Sequence, residues 1–427
     1  MRTICHTAAG LLSEAMIRIP NRRFIPDGLV QSVVSGKNLD WINCRRREIQ
    51  GSSIAFDEEQ SHRGALGEFL ERYACATYDS EDFKVSSFSE LSKSEPALAP
   101  EFFRYYSDEQ YERLRELNVY PLGENDLIEW TVCNDFITGK SYWMPAFSIY
   151  MPYFSKVNSP HNYMVGTTST GTAAGKTSRD ALISGFLECA ERHAFALFWY
   201  HQDALPYRSY TKEVILKHYH KNKTVCRLFQ NSAVQIKCFD LAAFSPVECM
   251  VVFIYFRYKN KIYQSLGCAA RFSKTQALIK ACLEAYQGIE YAISLNEKKL
   301  LPEEPDLSRI DDFDKHFHFY NQYPQFRKEA PILREAARFD SGDEKIYRAD
   351  PDNKCMDFTV EELKKVGLKH LMYKDISPID AEELQYKIMR VVTPGWSLLT
   401  GNHNWPFLGY CLNGNQTLFT AYPHPFP

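Results

Sequence analysis

The strongest constraint in this chain is a layout that occurs three times. Residues 51–72 read GSSIAFDEEQSHRGALGEFLER, 171–192 read GTAAGKTSRDALISGFLECAER, and 267–287 read GCAARFSKTQALIKACLEAYQ. In each, a glycine stands 17 residues ahead of a glutamate: Gly51 and Glu68, Gly171 and Glu188, Gly267 and Glu284. A second polar residue follows three positions on: Glu71, Glu191 and Gln287. The pattern predicts, each time, a glycine-bearing turn, a polar start and a helix containing small residues. A chain built this way must arrange three like units around something they share.

On a helix, positions i and i+3 share a face, so each polar pair points into one space. In the second segment Leu182, Phe186, Ala190 and Leu197 form the apolar stripe, with Ser184, Glu188, Glu191 and Arg192 away from it. The first opposes Leu66, Leu70 and Tyr73 to Glu68, Glu71 and Arg72, and in the third Lys280, Glu284 and Gln287 share a face. Taken singly, such faces suit solvent. Glu68 with Arg72 and Glu188 with Arg192 stand in the favourable i,i+4 order, each contributing about 0.3 kcal/mol. Recurrence beside Gly64, Ala65, Gly67, Ser184, Gly185 and Ala281 weighs against that reading, because small residues admit another backbone or a ligand. Carboxylates and amides converging from three helices repel unless a cation sits among them. Hard oxygen ligands select magnesium or calcium, and magnesium commonly arrives with a nucleotide phosphate. The expectation is a magnesium–triphosphate site built from helix faces. The stretch GTAAGKT at 171–177 is not a P-loop, which needs four residues between its glycines where this chain has three. Lys176 stays a candidate point-charge contact to phosphate.

Composition narrows the classes further. The 427 residues carry 50 basic and 53 acidic side chains, a net charge of -3, which argues against a protein whose first task is gripping nucleic acid. Hydrophobic residues make up 45%, the ordinary globular range, and no apolar run is long enough to span a bilayer. Glu14 and Arg18 interrupt the stretch a signal peptide would need, so a cytoplasmic location is expected. Twelve cysteines never fall in CxxC or CxC spacing and read as buried small hydrophobes. The pairs His218/His220 and His316/His318 lack partners at ligand spacing, so zinc is not expected.

Strands are expected over 234–241 and 251–256, and Asn260 marks a hairpin between 253–258 and 262–266. Interleaved amphipathic helices make the class α+β. Residues 329–357 read as a polar loop or insertion. Thr359 with Glu362 and a stop at Gly367 predict a short helix, followed by strands over 371–376 and 386–392. The chain ends in AYPHPFP, a PxPxP pattern formed by Pro423, Pro425 and Pro427.

GALGEFLER, SGFLECAER and ALIKACLEAYQ, with STGTAAG ahead of the second, resemble the YcaO family of ATP-dependent enzymes that modify peptide backbones. The resemblance runs from about residue 51 to the end. It implies a YcaO-like mixed α/β catalytic domain over 51–427, preceded by an N-terminal extension over 1–50. By the same resemblance Glu68, Glu71, Glu188, Glu191 and Glu284 match positions that bind Mg2+ and ATP phosphates, and Arg192 and Lys280 match positions that contact nucleotide or phosphate. Lys176 and Gln287 fall at polar nucleotide contacts. Lys280 departs from the usual arginine and loses its bidentate fork. Thr170 stands where asparagine is common, and His193 where aspartate is common. The PxPxP ending resembles that of azoline-forming cyclodehydratases of ribosomal-peptide (thiazole/oxazole) biosynthesis, such as bacteriocins, and implies a catalytic or orienting role for the Pro427 carboxylate.

The implied reaction starts when Cys, Ser or Thr of a precursor peptide attacks the preceding backbone carbonyl. ATP phosphorylates the resulting oxyanion, and phosphate leaves to give a thiazoline or oxazoline. With only about 50 residues before the first repeated segment, a separate E1-like, leader-binding partner is expected, and an FMN-dependent dehydrogenase can join it. Rival readings are a YcaO-type thioamide or amidine synthase and a non-catalytic nucleotide-binding scaffold.

Overall fold

A computed structural model describes residues 11–12, 16–20, 22–37, 39, 44–46, 48–157, 168–202, 207–338, 357–410 and 418–427. Its strands form three antiparallel sheets. The first joins β1 (Ile17–Ile19), β2 (Val30–Ser35) and β3 (Gln50–Ala55) in that order. The second holds β4 (Lys84–Ser86), β5 (Ile128–Asp135), β6 (Ser141–Pro145) and β7 (Thr172–Gly175). It is completed by β12 (Met372–Asp375) and β13 (Lys387–Val392), in the order β4-β5-β12-β13-β7 with β6 beside β5. The third runs β11 (Lys261–Arg271), β10 (Glu248–Tyr258), β9 (Val234–Asp240), β8 (Arg208–Thr211). The helices are α1 (Glu58–Ala76), α2 (Phe88–Leu91), α3 (Asp108–Leu114), α4 (Ser178–Tyr200), α5 (Lys212–His218), α6 (Lys223–Phe229), α7 (Lys274–Lys298), α8 (Phe313–Gln322), α9 (Pro331–Ala336), α10 (Val360–Lys365) and α11 (Ile379–Glu383).

The three repeated segments are strand–helix units: β3 into α1, β7 into α4, β11 into α7. Each strand is an edge of its own sheet. Each helix packs on its own strand and also on the edge strand of another unit, α1 on β7, α4 on β11 and α7 on β3. The three units therefore interlock head to tail in a ring.

The expected glycine turns resolve differently. Gly51 and Gly267 lie within strands, and only Gly171, at φ +86°, precedes its strand in a turn-like conformation. The physical reason is contact. A Cβ on Gly51 would lie 2.2 Å from the Ala65 carbonyl oxygen and 2.4 Å from the Phe69 nitrogen; on Gly267 it would lie 2.2 Å from that of Ala281 and 2.5 Å from the Ala285 nitrogen. In both units the partners stand 14 and 18 residues after the glycine, so strand and helix meet backbone to backbone.

The run 249–256 in β10 is buried on both faces. Cys249, Val251, Phe253 and Tyr255 join the core beneath α4, whereas Met250, Val252, Ile254 and Phe256 join the core beneath α7. A strand covered on both sides loses the apolar–polar alternation, as its sequence shows. The hairpin forms at the expected place, with Tyr258 opposite Lys261 and Lys259 taking φ 52°. α10 begins at Thr359, whose hydroxyl accepts the Glu362 N–H at 3.3 Å, and Gly367 adopts φ +84° beyond its end. The polar stretch expected as a loop contains α9 at its start, because Ile332, Leu333 and Ala336 are buried in the core; residues 339–356 lie outside the described residues. Of the nine free cysteines described, all but Cys226 are buried. Among the described residues no helix is long and apolar enough to cross a membrane.

Candidate nucleotide and cation site

The glutamates sit where the ring of units closes. Glu68 accepts the Ser52 backbone N–H at 2.5 Å, while Arg72 donates to its other oxygen at 2.7 Å and anchors itself on the Gln50 carbonyl. Glu71 reaches across to the next unit and accepts the Ala174 N–H at 2.7 Å. Glu188 accepts the Gly171 N–H at 3.0 Å and pairs with Arg192 at 3.4 Å. Both i,i+4 pairs expected from sequence are thus present. Two backbone donors of the GTAAGKT stretch, those of Gly171 and Ala174, go to carboxylates, which agrees with its rejection as a P-loop.

The repeat has a consistent logic. A strand edge offers N–H groups that no neighbouring strand uses, and helix carboxylates accept them. The third unit differs: Glu284 pairs with Lys280 at 3.0 Å, and Gln287 donates to Ser52 Oγ at 2.7 Å across the seam between α7 and β3.

Electrostatics identify the two carboxyls under most stress. Burial pushes Glu71 up to about 8, with the charges of Glu188 and Glu68 adding to the shift and the Ala174 N–H opposing it. Glu191 is only 6% exposed. Burial pushes it too up to about 8; Arg192, 3.7 Å away, opposes the shift, and Glu284 and Glu188 reinforce it. Glu188 therefore faces both stressed groups, and the carboxylates of all three helices feel one another. Glu191 is withdrawn from solvent because α4 is buried on almost every side, packed between two sheets.

Among the described residues no three acidic, histidine or cysteine side chains stand preformed at metal-ligand spacing. Each carboxylate leans on a backbone N–H or a basic side chain. The donor set fits a hard divalent cation carrying phosphate: carboxylate oxygens only, two of them held protonated near neutral pH by burial and mutual repulsion. Glu68, Glu71, Glu188, Glu191 and Glu284 are the residues that could hold such an ion, and Arg192 and Lys280 those that could meet phosphate oxygens. Lys176 is exposed in the turn from β7 to α4, and no hydrogen bond or ion pair joins it to the cluster.

The proline-rich tail returns to this place. Phe426, 3% exposed, packs edge-on against Phe195 at 4.8 Å, and the Arg192 guanidinium lies 4.1 Å above its ring. Tyr320 donates to the Pro423 carbonyl at 2.8 Å, and His316 Nδ1 meets the His424 carbonyl at 3.1 Å. The His316 and His424 rings lie 4.0 Å apart with their planes tilted by 31°, both kept neutral by burial. Pro423 and Pro425 are buried, and Pro427 is exposed.

The two departures from the family pattern have structural roles. His193 stacks on Trp396 at 5.0 Å, accepts the Ser397 N–H, and is pushed down to about 4 by burial. Thr170 gives its carbonyl to Arg390 at 2.6 Å. Sequence reasoning missed Arg390, His316 and Phe426. A lone arginine in an apolar strand and an aromatic between tail prolines were the available signals.

A family model described as YcaO cyclodehydratase, ATP- and Mg2+-binding, matches residues 53–397. No curated protein matches the chain in sequence. A solved heterocyclase in complex with substrate and cofactor is similar over 100% of this chain at 19% identity and TM-score 0.69. The match covers 56% of that protein, so this chain spans little more than half its length. The Escherichia coli microcin synthetase McbBCD complex is similar over 96% of both chains, at 16% identity and TM-score 0.65. A YcaO protein of Methanopyrus kandleri, bound to AMPPCP and Mg2+, is similar over 90% of this chain and 85% of its own, at 16% identity and TM-score 0.53.

Proposed function

Because the chain belongs to the YcaO family, whose cofactors are ATP and Mg2+, we propose that it is an ATP-dependent cyclodehydratase. Its substrates are Cys, Ser or Thr residues of a ribosomal precursor peptide, and its products thiazolines or oxazolines. The observation that supports this reading is the convergence of Glu68, Glu71, Glu188, Glu191 and Glu284 from three helices, with half-buried Glu71 and buried Glu191 both pushed up to about 8. Bound Mg-ATP supplies a phosphoryl group that turns the amide oxygen into a leaving group, with charge neutralised by the metal.

The residues around it have separable tasks. Glu68, Glu71, Glu188, Glu191 and Glu284 would hold the cation. Arg192 and Lys280 would orient phosphate, Arg192 with a bidentate fork and Lys280 as a point charge. Gln287 and Lys176 would add polar contacts to the nucleotide. Pro423 and Pro425 fix the tail so that Phe426 braces Arg192 and Pro427 stands at the exposed end, where it would orient the peptide. A separate E1-like, leader-binding protein would present the substrate, and an FMN-dependent dehydrogenase would oxidise azolines further.

The test is direct. The chain is mixed with its partner, a precursor peptide and Mg-ATP, and mass spectrometry follows the peptide. A loss of about 18 Da per ring, dependent on ATP, supports the reading. A mass gain from sulfur would make it a thioamide synthase, and ATP binding with no mass change a scaffold.

A further inference from the structure

Beside the turn that anchors Glu188 lies a pocket partly open to solvent. Its apolar wall comes from Phe102, Phe103, Phe147, Trp396, Leu398 and Tyr410. It shares Thr170 and Cys189 with the carboxylate site: Thr170 precedes Gly171, whose N–H holds Glu188, and Cys189 follows Glu188 on α4.

The polar part of the wall is almost fully committed. Arg390 directs all five N–H groups into it. Its Nε and one terminal nitrogen go to the Ser148 carbonyl, and the remaining donors go to the carbonyls of Thr168 and Thr170 and to Thr172 Oγ1, at 2.6–3.3 Å. Ser148 gives its hydroxyl to the Pro145 carbonyl at 2.7 Å. Among the described lining residues, Thr168 Oγ1 is the one buried side-chain polar atom without a partner, on a residue only 9% exposed. A buried hydroxyl left unpaired costs stability unless a ligand completes it.

These features select an occupant. Six ring or aliphatic side chains favour a flat apolar group, and the buried Arg390 guanidinium in the same wall favours an electron-rich face. A nucleobase brings several edge donors and acceptors, most of which would be desolvated without partners here. Tyrosine or tryptophan brings one polar atom, and the wall offers one. Resting on the peptide-modifying reading above, we propose that this cavity is the subsite for an aromatic side chain of the substrate peptide. Consecutive residues of an extended peptide lie roughly 3.3–3.6 Å apart. A side chain seated one or two residues from the cyclised position therefore reaches the cavity while its backbone lies at the carboxylate site.

The experiment measures binding of acetyl-Gly-X-Cys-Gly-amide peptides, with X as Tyr, Phe or Ala, to the full chain, alongside Mg-ATP binding. The Tyr peptide is expected to bind about tenfold more tightly than the Ala peptide. Thr168→Val should remove the advantage of Tyr over Phe, roughly fivefold, without touching ATP affinity. Leu398→Trp, which fills the cavity, should erase the dependence on X. Equal binding of all three peptides to the unaltered chain overturns the proposal. So does a Leu398→Trp variant that loses ATP affinity while keeping its peptide preference, which would assign the cavity to the base. Thr168→Val, close to isosteric, keeps the test decisive if the larger substitution disturbs folding. Ring formation without side-chain preference would sink the subsite and leave the proposed activity standing. Preference without ring formation would do the reverse.

Discussion

The Arg192 guanidinium lies 4.1 Å above the ring of Phe426, so the penultimate residue of the chain forms one wall of the charge cluster. Arg192 also pairs with Glu188 and Glu191. Burial by itself would lower its pKa, but these carboxylates and Glu284 hold the group firmly charged. A stacked, paired guanidinium has little freedom, which is what a phosphate clamp requires.

Replacing Phe426 with alanine should free Arg192 and open a gap beside Phe195. The expected result is at least about tenfold slower ATP-dependent turnover and a stability loss of about 3 kcal/mol. Phe426→Tyr should retain most of both. Denaturant midpoints and turnover measured on the same samples check this.

Glu71 and Glu191 are pushed up to about 8 in the folded chain, from an ordinary carboxyl value of 4.5. The folded state then holds more protons than the unfolded one between those values, so metal-free stability should decline as pH rises through that window and level off above it. A cation binding there must displace the protons. Mg-ATP affinity should increase from about pH 6.5 to about pH 8.5, with proton release seen by calorimetry in buffers of different ionisation enthalpy. Affinity independent of pH would place the ion elsewhere.

Glu71→Gln keeps the shape and the Ala174 contact while removing a half-buried charge. At about pH 8.5 the variant should be more stable than the unaltered chain without ligand, by about 1 kcal/mol. It should also lose most of its thermal shift on adding Mg-ATP. Scanning calorimetry with and without the nucleotide separates the two effects.

Gly267→Ala would force a methyl group to 2.2 Å from the Ala281 carbonyl oxygen. Strand and helix would have to separate, at a cost above about 3 kcal/mol. At Gly67, on α1, a new Cβ would lie 3.6 Å from that of Ala174, an ordinary contact. Gly67→Ala should be neutral or stabilise by up to about 1 kcal/mol through helix propensity. Soluble yield and melting curves of the pair distinguish tight from loose approaches.

The glycine-to-glutamate spacing was legible because it lives within one strand–helix unit, where local geometry fixes which residues meet. So were the hairpin at Lys259 and the helix begun by Thr359, both short-range events. What stayed hidden depends on distant pairing. β7 is completed by β13, more than two hundred residues later. No periodicity in residues 171–192 could show that α4 would be covered on both sides, so the depth at which Glu191 lies was not legible. The role of Arg390 rests on the carbonyls of Ser148, Thr168 and Thr170, more than two hundred residues earlier in the chain. The tail read as a pattern of prolines, while its anchoring falls to the intervening His424 and Phe426.

The head-to-tail ring also sets a timetable for synthesis. Its last joint is α7 against β3, elements more than two hundred residues apart. A nascent chain that has emerged only through α4 has two of the three sides, and its glutamates still face water. Neither cation nor nucleotide can be enclosed until the third helix arrives, so ligand capture comes late and acts as a seal on an assembled body rather than as its seed.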